Sequence, residues 1–234
     1  EYGTLPDFSK ARDDADIIFT WNGTTAGVKV PNADWIKLNP DRIVINDATS
    51  AAFAQDIDWA KCDVTTFSWQ KILGGEAAHG MLILSPNAVK RLETYTPSRP
   101  LPKIFRMVKK GKVDLGIFEG ATINTPSMLC VEDYIQALKW CLELGGWTAL
   151  KARSDESLSI LEAFVAENDW IDFLCADPAT RSNTGVCLKI TDDRFAALSD
   201  DEQAAFMKKM TGLLEKEGVA FDANGYRSAP PGLR

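Results

Sequence analysis

Two residues of this chain have the types and settings for carbonyl chemistry. Asp47 closes the apolar run Ile45-Asn46-Asp47, and Lys71 stands between Ser68-Trp69-Gln70 and Ile72-Leu73-Gly74-Gly75. A lysine amine condenses with an aldehyde cofactor, and a carboxylate beside a pyridine nitrogen keeps that nitrogen protonated, so the ring accepts the electrons of a carbanion. The lysine must be partly neutral to do this, which a desolvated pocket and a neighbouring cation favour. On residue type alone a strand-terminal aspartate and a loop lysine occur in many α/β proteins, and a structural or surface role outweighs the chemical one.

Other chemistries find fewer supports. His79 is the one histidine of the chain, which argues against a histidine metal centre and against a Ser-His-Asp triad. It stands beside Gly80 at a strand start and reads as a packed neighbour, so no role is assigned to it. Five cysteines, with no CxxC or CxxH spacing, indicate neither a disulfide framework nor a zinc site, so no metal is expected and a reducing cytoplasm is the natural compartment. With 234 residues, 45% hydrophobic and 25% charged, the composition is that of an ordinary globular protein. The formal charge of -7 argues against nucleic acid or an anionic membrane as partner, and no apolar run approaches a membrane span. The chain opens on Glu1-Tyr2-Gly3-Thr4 and closes after a Pro-Pro-Gly loop at Arg234, so both ends read as cut.

The elements that must position Asp47 and Lys71 are short apolar runs at 15–21, 42–47, 63–68 and 80–84, each read as a buried strand. In an open α/β sheet ligands lie beyond the carboxyl ends of strands, where Thr24, Asp47 and Lys71 would converge on one crevice. A helix is expected over 86–95, then an extended excursion over 96–120. Its cluster Lys103, Arg106, Lys109, Lys110 and Lys112 reads as a solvated face, with the gathering of a phosphorylated substrate as the other use. Asn124-Thr125-Pro126 reads as a helix entry. The helix runs to about 144, Gly145-Gly146 interrupts it, and a second follows over 147–168. The boundary between a larger part, 1–146, and a smaller one, 147–234, is placed there. The smaller part reads as strands at 171–176, 185–190 and 219–222 with one helix before the last. In that helix Ser199 and Glu202 form a capping box, and Phe206, Met210, Leu213 and Leu214 share the expected core face.

Longer sequence words sharpen the reading. Thr20-Trp21-Asn22-Gly23-Thr24-Thr25-Ala26-Gly27, then Ile45-Asn46-Asp47-Ala48-Thr49-Ser50, then Phe67-Ser68-Trp69-Gln70-Lys71, then Ala78-His79-Gly80 and Asn124-Thr125-Pro126, follow one another in an order that resembles the phosphoserine aminotransferases. The resemblance runs to the final Arg234. It implies an α/β fold of the pyridoxal 5′-phosphate-dependent fold-type I class: part of a large, mainly parallel-sheet domain plus a small C-terminal α+β domain.

By that resemblance Lys71 is the lysine that holds pyridoxal 5′-phosphate as a Schiff base, Asp47 faces the pyridine nitrogen, and Thr24 and Gln70 line the cofactor. Asn124 and Thr125 would reach the cofactor phosphate of a neighbouring subunit, which implies a homodimer. The other reading of that pair is a plain helix cap. Arg234 resembles the arginine that clamps the substrate α-carboxylate, and Arg227 one that meets its phosphate or distal carboxylate. The Arg227–Arg234 spacing is one residue longer than in the better-known bacterial branch. Trp69 fits either the cofactor edge or the core. The implied reaction exchanges 3-phosphohydroxypyruvate and glutamate for phosphoserine and 2-oxoglutarate, a step of serine biosynthesis. The family also has an aromatic that stacks on the pyridine ring and a Gly-rich phosphate loop in a segment expected before Glu1, without which these residues alone would bind cofactor poorly. The alternatives are another class V aminotransferase of the serine-pyruvate or alanine-glyoxylate type, a cysteine desulfurase, disfavoured for want of a cysteine in a mobile catalytic loop, and a non-catalytic binding module on the same fold.

Overall fold

The computed structural model describes residues 1–225 and 229–234. β1 (Ile17–Thr20) is followed by a small hairpin of β2 (Asn22–Gly23) and β3 (Val28–Lys29), then by β4 (Val44–Asp47), β5 (Val64–Ser68) and β6 (Gly80–Leu84). The main sheet has the order β1-β4-β5-β6. Its first three strands run parallel, with Thr20 level with Asp47 and Asp47 level with Thr66, while β6 returns antiparallel along β5. Each strand falls within a run expected from the sequence, trimmed to the residues that find a ladder partner.

Alternation along these strands sorts core from cleft. Val44, Asn46, Thr65 and Phe67 turn into the buried layer with Trp21, Val30 and Ile36, and Phe19 and Trp35 pack against it. Phe8 stacks on Trp35 with ring centres 4.4 Å apart. The opposite face carries Asp47 and Thr66, both exposed, and Ile18, which is 78% exposed. A one-residue slip of register would bury Asp47 and expose the core.

Helix α1 (Pro86–Thr94) lies where a helix is expected, and the structure supplies its cap: the Ser85 hydroxyl accepts from the Ala88 amide at 3.1 Å, and proline fills the first position. The stretch read as an irregular excursion over 96–120 instead holds a hairpin, β7 (Val108–Lys109) with β8 (Lys112–Val113). Its turn residues Lys110 and Gly111 both have positive φ, 53° and 78°, which is the two-residue turn that matches strand twist. The Lys-Gly pair was the missed turn marker; the lysines on either side masked it as a charged loop.

Helix α2 (Met128–Glu143) and helix α3 (Trp147–Glu167) are separated at Gly145-Gly146, as the sequence indicates. The entry to α2 differs from expectation. Ser127, not Asn124 or Thr125, is the cap, its hydroxyl accepting from the Cys130 amide. Pro126 therefore lies outside the helix and not in its first turn.

The second sheet is antiparallel, with β9 (Ile171–Phe173), β10 (Leu188–Ile190) and β11 (Gly232–Leu233) in the order β11-β10-β9. Helices α4 (Asp193–Ala196) and α5 (Asp200–Lys216) lie between β10 and β11 in the chain. Residues 219–222 form no strand: Asp222 takes a φ of +50°, Val219 and Phe221 are exposed, and β11 fills the third place in the sheet. The inner face of α5 holds part of the expected set. Met207 is buried at 1% exposure and Met210 and Leu214 are half-buried beside it, whereas Phe206 and Leu213 are 44% and 52% exposed. The inward stripe thus keeps Met210 and Leu214, adds Met207, and leaves Phe206 at its edge against Phe195. The capping box is present, with Glu202 Oε2 accepting from the Ser199 amide at 2.9 Å and from its hydroxyl at 2.7 Å.

The loop before β10 is tied to the main sheet by a buried polar network. Asn22 Oδ1 accepts from Gln55 Nε2 at 2.8 Å and from Ser182 Oγ at 2.6 Å. Gln55 Nε2 also donates to Asn183 Oδ1 at 3.0 Å, and Asn183 Nδ2 donates to the Ala54 carbonyl at 2.9 Å and to Asp155 on α3 at 2.7 Å. Removing Asn183 strips the Ala54 carbonyl of its side-chain donor and takes one of two acceptors from Gln55 Nε2, in a place that water reaches poorly. Asn183→Ala is expected to lower the unfolding free energy by about 3 kcal/mol, and Ser159→Ala on the exposed side of α3 by less than about 0.5 kcal/mol. Denaturant unfolding of the two variants checks this, and equal losses would remove the network from its joining role.

Candidate active site

The carboxyl ends of the three parallel strands lie on one side of the sheet, so the segments that follow them meet there. They enclose a cleft of about 550 Å³ lined by Thr20, Asn22, Gly23, Thr24, Thr25, Ala26, Asp47, Thr49, Ser50, Ser68, Gln70 and Lys71. Four of the site residues expected from sequence, Thr24, Asp47, Gln70 and Lys71, therefore share one wall system.

Asp47 is placed by its strand. Its carbonyl accepts from the Trp21 amide at 3.0 Å, and its carboxylate Oδ1 accepts from the Thr49 amide at 2.9 Å. The second oxygen is left for the cleft. Lys71 is placed by a turn, in which the Gly74 amide donates to the Lys71 carbonyl and the Gly75 amide to the Trp69 carbonyl, both at 2.9 Å. Among the described residues neither the Lys71 amine nor the Asp47 carboxylate enters an ion pair, although both line the same cleft. An acid and a base held apart across a cavity leave room for a group that engages both. That donor set fits an aldehyde-bearing pyridine: an amine for the aldehyde, a carboxylate for the ring nitrogen, and hydroxyl and amide groups around them.

The Thr24 hydroxyl lies 3.0 Å from the Ser50 hydroxyl, so the first and second strand-end loops are tied together at the cleft. Ser50 in turn offers its carbonyl to the Thr184 hydroxyl at 2.7 Å. Asn22, Thr49, Ser50 and Ser68 were not singled out from sequence. Their one legible mark is position, since each is a polar residue at or just after the end of an apolar run.

The remaining expected residues lie elsewhere. Asn124 and Thr125 are exposed on the loop before α2 and do not line the cleft. Arg234 donates from Nε to the Asn224 carbonyl at 2.6 Å and pairs with Asp222 at 2.7 Å. It lines a small crevice with Cys187, Leu188 and Thr25, and Thr25 also belongs to the main cleft, so Arg234 stands behind one of its walls. Arg227 lies outside the described residues. Trp69 turns away from the cleft and stacks on Tyr134. The basic segment 103–112 does not line the cleft, and its end is taken up by a Lys112–Glu93 ion pair at 2.8 Å.

No family model matches the chain. The chain is 55% identical over all its 234 residues to the phosphoserine aminotransferase of Methanosarcina barkeri and spans 60% of that protein's length. Among solved structures it superposes on a phosphoserine aminotransferase from Cytophaga hutchinsonii with a TM-score of 0.77 at 20% identity, covering 99% of this chain and 61% of that one. It superposes on the PLP-bound phosphoserine aminotransferase from Trichomonas vaginalis with a TM-score of 0.71 at 18% identity, covering 96% and 56%. The fold is thus that of the fold-type I aminotransferases, a mixed α/β sheet with its cleft at the strand ends. Within that class the chain belongs to the phosphoserine aminotransferase family, of whose Methanosarcina barkeri member it spans about three fifths.

All five cysteines are buried. The Cys187 thiol rests against the Thr24 carbonyl at 3.4 Å, directly behind the cleft, and burial pushes its pKa up despite the opposing pull of Arg234. Burial likewise pushes the Cys62 thiol up to about 11. A raised thiol pKa means less thiolate at a given pH, hence slower alkylation. Iodoacetamide at pH near 8 is expected to leave Cys62 and Cys187 unmodified in the folded protein and to label both after unfolding. Peptide mass mapping checks this, and fast native labelling of Cys187 would show that the wall behind Thr24 is open.

Proposed function

We propose that this chain carries the cofactor site of a phosphoserine transaminase, with pyridoxal 5′-phosphate as cofactor and phosphoserine, glutamate and their keto partners as substrates. The observation that supports it most is the sharing of one cleft by Lys71 and Asp47 without mutual pairing. When bound, the cofactor supplies an electron-accepting ring that stabilises the negative charge left as a proton departs from the substrate Cα.

The chain's own residues do the rest. The Lys71 amine would hold the aldehyde, and, when free, would serve as the base and acid that moves the Cα proton. Asp47, fixed at the end of β4, would face the ring nitrogen and favour its protonated form. Thr24 and Gln70 would line the site, with Thr24 oriented by Ser50. Arg234 would grip the α-carboxylate with its planar fork, exchanging Asp222 for substrate. Arg227 keeps its assignment to the substrate phosphate or distal carboxylate.

The assembly belongs to the same proposal. Asn124 and Thr125, exposed and distant from their own cleft, suit contact with the cofactor phosphate of a second subunit in a homodimer, and the exposed Ile123, Met128 and Leu129 beside them supply apolar contact area. The division at 146/147 into a larger and a smaller domain is supported by the two separate sheets and the Gly145-Gly146 break. A cytoplasmic setting is supported by five unpaired thiols; among the described residues no helix is long and apolar enough to cross a membrane.

Lys71→Ala in the full-length protein is expected to abolish both the near-visible absorbance of covalently held cofactor and turnover. Asp47→Asn should keep the covalent attachment and lower kcat by roughly a hundredfold or more. Absorption spectra with and without borohydride, and rates with phosphohydroxypyruvate beside pyruvate and glyoxylate, check both the site and the substrate. Retention of absorbance and turnover in Lys71→Ala would overturn the proposal.

A further inference from the structure

Lys71 lies outside the strand ladder, so something other than sheet pairing must fix where its amine points. The turn over 69–75 divides its side chains between two directions. Gln70 and Lys71 face the cleft, while Trp69, Ile72 and Leu73 pack among Tyr134, Cys141 and Leu150 of the helical layer. The strongest of these contacts is a parallel stack. The Trp69 and Tyr134 rings have centres 4.0 Å apart and planes within 1°.

Three details make that stack the element that orients the turn. Tyr134 is buried on α2, so its ring is a fixed platform. The Trp69 indole nitrogen is buried and has no hydrogen-bond partner among the described residues, so stacking and not an indole hydrogen bond sets its plane. Gly75, whose amide closes the turn on Trp69, fits against the pair so closely that a Cβ there would stand 3.2 Å from Trp69 Cβ and 3.6 Å from Tyr134 Cδ2.

We propose that Tyr134 is a positioning residue for Lys71, acting through its stack on Trp69 to hold the amine toward the cleft. Its ring does not line the cleft. The inference rests on the reading of Lys71 as the cofactor-holding lysine. Loss of the aromatic platform lets the Trp69 side of the turn rotate and spreads the amine over many orientations, which slows any reaction that needs one approach direction.

The test is site-resolved labelling of full-length protein freed of cofactor. Pyridoxal phosphate is added, borohydride traps the product at timed intervals, and peptide mapping reports Lys71 against the exposed Lys90 and Lys209 in the same sample. Tyr134→Phe, which keeps the ring, should label Lys71 at the rate of the unsubstituted protein. Tyr134→Leu should slow Lys71 about tenfold with Lys90 and Lys209 unchanged. Gly75→Ala, whose methyl presses into the stack without removing either ring, should slow Lys71 by a smaller factor and serves if Tyr134→Leu fails to fold. Lys71 labelling at the full rate in a folded Tyr134→Leu, or in Gly75→Ala, overturns the positioning role while leaving Lys71 as the cofactor lysine. If Lys71 of the unsubstituted protein labels no faster than Lys90, the cofactor reading fails, and this proposal with it.

Discussion

One carboxamide oxygen holds the cleft in shape. Asn22 Oδ1 lies just past the end of β1 and is buried, and it collects donors from Gln55, at the far end of the segment that follows Asp47, and from Ser182, in the loop before β10. Leaving that buried oxygen without donors costs more than each bond returns when made, which favours keeping the three segments together. The consequence reaches the site directly. Thr24 is two residues from Asn22 and bonds Ser50, and Ser50 is held to Thr184, so both polar walls of the cleft are fixed by the same network that joins the two sheets.

The acid and the base of the cleft are held in different ways. Asp47 has neighbours on both sides in a parallel ladder, a carbonyl engaged by Trp21 and a carboxylate oxygen engaged by Thr49. Its position is therefore as rigid as the sheet. Lys71 has one turn hydrogen bond, accepted by its carbonyl, a second that closes the turn at Trp69, and the packing of its neighbours. A carboxylate on a strand is fixed with the sheet, whereas an amine on a turn keeps reach. The division between a strand-borne carboxylate and a turn-borne amine is the one that the proposed roles would require.

What the sequence disclosed tracks what local physics decides. The four strands of the main sheet, helix α1, the Gly145-Gly146 break and the Ser199–Glu202 box each depend on nearest neighbours, and each was readable. The Lys110-Gly111 hairpin was hidden because its charged flanks look like a loop. The third strand of the small sheet was misplaced at 219–222 because apolar Val219 and Phe221 mimic a strand, while the true one, Gly232–Leu233, is two residues long and owes its existence to β10. On the inner face of α5, Met210 and Leu214 were read correctly, but Phe206 was taken for Met207 because it outranks it in bulk, and tertiary packing, not bulk, picks the buried side. Within the cleft, the meeting of Asp47 and Lys71 was legible from their places after the strands, whereas reading them as a chemical pair took the family resemblance. Ser50 and Asn22 were not legible, because their roles arise from partners such as Thr184 and Ser182, more than a hundred residues further along.

The two supports of the cleft meet in the helical layer. The turn that carries Lys71 enters it through Trp69, Ile72 and Leu73, in a cluster shared with Tyr134, Cys141 and Leu150. The network around Asn22 lines the cleft through Asn22 itself and through Thr24 and Ser50, and it reaches the same layer where Asn183 Nδ2 donates to Asp155, on the helix that also carries Leu150. Phe53 joins them a second time, packing against both the main core and the Leu73 cluster. Substitutions that share partners couple instead of adding. A disturbance in α3 therefore reaches both walls of the cleft, whereas one in α2 acts first on the turn of Lys71.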